Sequence, residues 1–180
     1  MRRECVKRIF LAIAALATFG PADVMARSQA QLDCAMQRAP AGLADNLAAG
    51  MVAGDRARLS PLQQQLERVV RQCLRITRLT DREAEVYYDY ALTRLPREAL
   101  SRQLARAGIA TARIDAAMGF GPGRPNQAMR DMDEAEGARA AAALVASGID
   151  EKHLSPVNWR KVMSYIDLTS RMYRYLQALN

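Results

Sequence analysis

From Ser28 onward the chain is punctuated by helix starts and stops, and no stretch shows sustained two-residue alternation rich in Val, Ile and Thr. Apolar residues recur at three- and four-residue spacing, which places them on one side of a helix rather than on one face of a strand. The punctuation predicts eight helices. A first runs from Ser28 to Arg38 and stops before Pro40; a second spans Gly42 to Ala53 and ends at Gly54. Ser60 and Pro61 read as the N-cap and first position of a third, which runs to Arg78. Thr80 and Glu83 form a capping box for a fourth that ends near Arg94, ahead of Pro96. A fifth covers Arg97 to Ala107, a sixth Thr111 to Met118, a seventh Asn126 to Ser147, and Ser155-Pro156 opens the last, to Leu179. The expected fold is all-α, one multi-helix bundle of seven or eight helices with irregular connectivity.

The third helix has the clearest two-sided pattern. At about 100° per residue, Leu62, Leu66, Val69, Val70, Cys73 and Ile76 fall together, with Cys73 near the middle of the stripe. Arg68, Arg71, Arg75 and Arg78 occupy the other side as a basic face, suited to water, lipid headgroups, an anionic glycan or an acidic partner.

Ahead of these helices stands a segment that reads as an address. Arg2, Arg3, Lys7 and Arg8 precede an apolar run from Ile9 to Phe19, followed by Gly20-Pro21 and the small-residue site Val24-Met25-Ala26. That order is the order of a secretory signal peptide. As a helix the run rises only about 16 Å, too short to span a bilayer as an anchor. Residues 1–26 are therefore expected to be cleaved, after Ala26 or at a second site after Ala30, leaving 27–180 as one helical domain in the periplasm or outside the cell. The remainder carries 22 basic and 17 acidic residues and two cysteines, Cys34 and Cys73. An even pair in an exported chain predicts a disulfide, which should clamp the first helix onto the third.

Catalytic chemistry has few residues to draw on. His153 is the only histidine, in the stretch Asp150 to Leu154, and no Gly-x-Ser-x-Gly elbow occurs. His and Cys are too few for a zinc site. The acidic run Asp131 to Glu136 lacks the glycine and the twelfth-position glutamate of a calcium loop. The Gly-rich stretch 119–125 lacks the Gly-Lys-Ser/Thr ending of a phosphate loop. No cofactor or metal is implied, and no nucleic-acid recognition motif appears.

All six tyrosines and the one tryptophan fall in two predicted helices: Tyr87, Tyr88 and Tyr90 in the fourth, Trp159, Tyr165, Tyr173 and Tyr175 in the last. If those helices are neighbours, Tyr87, Tyr90, Arg94, Trp159, Arg171 and Tyr173 would line a groove with aromatic walls and charged rims. The rings would alternatively staple the two helices together. Three functions are compatible with this inventory. The leading one is a non-catalytic binding module that engages an envelope protein, a glycan or an anionic lipid. The second is a glycan-cleaving enzyme using paired carboxylates, with Glu83, Asp89 and Glu98 as candidates. The third is a holdase-like protein with exposed apolar surface.

Overall fold

A computed structural model describes residues 29–77, 79–121 and 134–180. The expected leader over 1–26, Arg78, the glycine-rich stretch beyond Gly121 and the acidic run 131–133 lie outside the described residues. Among those described, seven α-helices form and no strand: α1 (Gln29–Arg38), α2 (Leu43–Ala53), α3 (Arg56–Thr77), α4 (Asp81–Arg106), α5 (Thr111–Ala117), α6 (Glu134–Ala146) and α7 (Pro156–Leu179), the last preceded by a 3₁₀ turn over Glu151–His153. The fold is the expected all-α bundle with irregular connectivity. No helix among the described residues is long and apolar enough to cross a membrane.

Several boundaries follow the local chemistry closely. The Glu83 amide donates to the Thr80 hydroxyl at 3.4 Å while the Thr80 amide donates to the Glu83 carboxylate at 2.8 Å, completing the capping box. Ser155 accepts from the Asn158 amide at 3.2 Å, with Pro156 opening α7. α4 and α6 end alike: Gly108 and Gly148 take positive φ, and the amides of Ile109 and Ile149 reach back to the carbonyls of Leu104 and Leu144, each at 2.9 Å. Both isoleucines are buried, which supplies the apolar contact that accompanies this helix stop.

Two prolines do not act where they were expected to. α3 begins at Arg56, not after Ser60; the Asp55 carboxylate caps it by accepting from the Arg58 amide at 3.0 Å. Pro61 is the sixth residue of that helix and is exposed, so its missing N–H costs one bond near the helix start. Pro96 likewise does not end the fourth helix. α4 continues through it to Arg106, merging the expected fourth and fifth helices. A proline inside a helix costs about 3 kcal/mol. Burial of Leu95, Leu100 and Leu104 along the same helix returns about 2 kcal/mol each, so packing overrides the local break. On the preceding turn the Thr93 hydroxyl donates to the carbonyls of Tyr90 and Asp89 at 2.9 and 3.1 Å.

α4 and α7 run antiparallel as the central pair, and the interior divides along them. One cluster gathers Tyr87, Tyr90, Ala91 and Leu95 of α4 with Met172 and Leu179 of α7 and buried residues of α1, α2 and α3. The other gathers Ala99, Leu100 and Leu104 of α4 with Val162, Tyr165 and Ile166 of α7, together with Ile114 and Leu144. A polar knot fastens the second cluster. The buried Tyr165 hydroxyl donates to Asp115 of α5 at 2.9 Å, and Arg97 of α4 reaches the same hydroxyl, Asp115 and, at 3.0 Å, Thr169. Burial pushes the Tyr165 hydroxyl up to about 12, against the pull of Arg97, so it stays a neutral donor.

α1 is held by three ties. Cys34 and Cys73 are disulfide-bonded and both buried, and the Tyr87 hydroxyl accepts from the Ala35 amide at 3.1 Å. The third tie is the ion pair of Asp33 with Arg94. The bridge closes 39 residues of sequence separation, worth about 4 kcal/mol in the chain-entropy account.

Reduction of the disulfide, or Cys73→Ala, is expected to raise amide exchange across α1 first while α4 and α7 keep their protection; hydrogen exchange read by mass spectrometry checks this. Tyr165→Phe leaves Arg97 and Asp115 without their shared hydroxyl and should lower stability by about 1–3 kcal/mol in urea unfolding.

Candidate functional site

The hairpin of α3 and α4 leaves a concave surface at the seam between the two helices. Amphipathic α3 turns Leu66, Val69, Val70, Cys73 and Thr77 inward, so residues on the flank of that stripe are left at the seam with α4. The same offset on α4 buries Tyr87 and Tyr90 and leaves Tyr88 and Asp89 half-buried. The result is an open groove of about 590 Å³ lined by Glu67, Val70, Arg71 and Leu74 from α3 and Ala84, Glu85, Tyr88 and Asp89 from α4.

Its floor is apolar and its walls are charged. Arg71 is paired with Glu67 one turn away on α3. Across the groove, burial and then the neighbouring Glu85 push the Asp89 carboxyl above the usual carboxylate range. Burial also raises the Tyr88 hydroxyl, followed by the fields of Glu67 and Asp89, which places both acids around that ring. The site thus presents an aromatic side chain among carboxylates over an aliphatic floor. Among the described residues, no group of three or more His, Cys, Asp or Glu side chains is arranged to hold a metal ion.

The residues singled out from sequence are distributed over both halves of the molecule. Tyr87 and Tyr90 are buried at the α1–α4 junction, with stacked rings 6.3 Å apart. Arg94 lies beside them, donating to the Tyr90 hydroxyl at 2.7 Å and to Glu98 at 2.9 Å while pairing with Asp33. Its guanidinium also stands 5.6 Å from the centre of the Tyr90 ring. Tyr173 stacks on Phe120 at 6.1 Å, and Trp159 packs on the second core cluster at the other end of α7. Fourteen residues of helix separate these two, about 21 Å. Arg171 is exposed and pairs with Asp167 one turn back. α4 and α7 are neighbours, and Tyr173 packs on the cluster that holds Tyr87 and Tyr90, whereas Trp159 packs on the other cluster.

Of the basic face, Arg68, Arg71 and Arg75 are exposed, and Arg71 alone lines the groove; Arg78 lies outside the described residues. Ile76, grouped with the apolar stripe on the wheel, is also exposed. Among the three candidate acids, Glu83 is occupied by the capping box, Glu98 by Arg94, and Asp89 lines the groove. His153 is exposed on the 3₁₀ turn, 3.4 Å from Asp150. Sequence reasoning missed Glu67, Glu85 and Tyr88 as one set. Their three- and four-residue spacing on each helix is visible, but their confrontation depends on how α3 crosses α4.

A carboxyl held above its ordinary range disfavours folding when ionised, so its cost is present above the folded-state value and absent once pH falls below both values. Asp89→Asn is therefore expected to raise the melting temperature at neutral pH, with the gain vanishing as pH drops through the carboxylate range; paired thermal melts measure this. Comparison with known protein families, curated proteins and solved structures finds no match to this chain.

Proposed function

We propose that this protein is a non-catalytic binding module of the cell envelope, exported by the leader over residues 1–26 and docking a protein partner in the α3–α4 groove. The observation that carries the reading is the groove itself: an aliphatic floor of Val70, Leu74 and Ala84, an aromatic wall at Tyr88 and charged rims on both helices. Such a combination suits recognition, because apolar area contributes affinity and rim charges set which partner is accepted. The buried Cys34–Cys73 bridge supports an oxidising compartment, periplasmic or extracellular.

One observation favours glycan cleavage as a second reading. Burial and then Glu85 raise the Asp89 carboxyl, the direction in which a general acid is tuned. Yet Glu85 and Asp89 sit one turn apart on the same wall, whereas the two acids of a glycosidase flank the bond they cut. Glu67, on the opposite wall, is bound to Arg71. The holdase reading draws little support among the described residues, where the large exposed hydrophobics Ile76, Val145 and Val157 stand on three different helices.

A photo-crosslinking residue at Leu74 in the native envelope should capture a defined protein partner, and one at Val157 should not. Glu85→Gln/Asp89→Asn should suppress the Leu74 product. Equal capture at both positions would remove the groove from the reading. Release of soluble fragments from cell-wall glycan by purified protein, lost in Asp89→Asn, would replace binding with hydrolysis.

A further inference from the structure

The groove has a local sign opposite to that of the protein. The chain carries a formal charge of +7, and α3 turns Arg68 and Arg75 outward beside the groove. Inside it, Glu67 and Arg71 satisfy each other, which leaves Glu85 and Asp89 as an uncompensated pair. None of the ion pairs or hydrogen bonds among the described residues engages either carboxylate, and Asp89, half-buried, ionises less readily through its burial and then through Glu85 one turn away. A cation placed between them relieves that repulsion, and Tyr88 offers it a ring face. Floor and walls repeat at three and four residues on both helices, from 67 to 74 and from 84 to 89. The α3 wall is therefore about two turns or 10 Å long, room for a short segment with one or two anchoring side chains.

We propose that the α3–α4 groove takes a basic amphipathic segment of a protein partner, with one lysine or arginine seated between Glu85 and Asp89 against Tyr88 and a neighbouring aliphatic side chain laid on Val70 and Leu74. This rests on the docking reading above and specifies its ligand. Charge complementarity selects the occupant: an acidic segment would be drawn to the outer arginines of α3 but repelled by Glu85 and Asp89 on the α4 wall. The helix-in-groove mode, with anchors one turn apart, fits the two-turn length.

The test uses purified full-length protein and two labelled amphipathic peptides that share one leucine pattern, one bearing lysines and the other glutamates, followed by fluorescence anisotropy. The lysine peptide should bind, and its affinity should fall about tenfold or more in Glu85→Gln/Asp89→Asn, as expected for loss of a partly desolvated charge pair. The glutamate peptide should bind at least about tenfold more weakly. Arg68→Gln/Arg75→Gln should leave the lysine peptide's affinity unchanged. Glu85→Lys, at an exposed position, provides a second variant that should weaken binding without disturbing the core. Equal or tighter binding of the glutamate peptide, or lysine-peptide binding indifferent to all acidic-residue variants, overturns the proposal. Crosslinking at Leu74 separates the two levels. Capture that persists in saturating lysine peptide and in the acidic-residue variants removes the basic ligand and keeps the docking site, whereas no capture at Leu74 removes both.

Discussion

The structure depends on α4 remaining one helix through Pro96. Its first half gives Tyr87 and Arg94 to α1, and its second half gives Arg97 to α5 and α7. A break at Pro96 would separate these two sets of ties and let the two core clusters move independently. Local propensity asks for that break, with a cost near 3 kcal/mol, and the leucines buried on both sides of the proline outweigh it. The continuity of α4 is a tertiary decision written over a local preference.

The same helix explains why the tyrosines cluster. Tyr87 and Tyr165 are buried with their hydroxyls bonded inside the protein, one on the backbone of α1 and one in the Arg97–Asp115 knot. Their rings fill core volume while each hydroxyl joins one helix to another, a task for which Phe has no atom and Ser no bulk. Tyr88 lies about 100° around α4 from Tyr87 and stands at the seam with α3. One run of aromatic residues therefore serves two ends: the core-facing rings fix α1 and the core, and the flanking ring furnishes the groove.

Much of the architecture was legible in the amino-acid sequence because it rests on short-range chemistry. The capping box at Thr80 and Glu83, the Ser-Pro opening at 155–156 and the glycine stop at Gly54 each need only neighbouring residues. The disulfide was legible by counting, and the burial of Cys73 by the wheel of α3. The start of α3 was not, because Asp55 and Ser60 are both competent caps and only packing chooses between them. Gly50 shows how tight that choice is: a Cβ there would stand 2.8 Å from the Leu59 side chain, so α2 and the start of α3 meet in close contact. A helix beginning after Ser60 would leave Leu59 outside this corner. The groove was illegible for a related reason. A wheel sorts one helix into inside and outside, whereas Val70, Leu74, Tyr88 and Asp89 belong to the boundary between two helices.

That boundary position bears on what the groove can do. Core residues are committed to packing, and fully exposed ones rarely contribute more than a few tenths of a kcal/mol each. Side chains on the flank are already half removed from water, so a partner that covers them has less left to desolvate and gains more from each charge it pairs. Asp89 is such a residue: its ionisation is disfavoured by burial and then by Glu85. A cation brought beside it would turn that penalty into attraction and draw its carboxyl back toward the ordinary range. Arg71 limits how far the attraction spreads, because it already holds Glu67 and restores neutrality on the α3 wall. The groove is thus negative on one wall and balanced on the other.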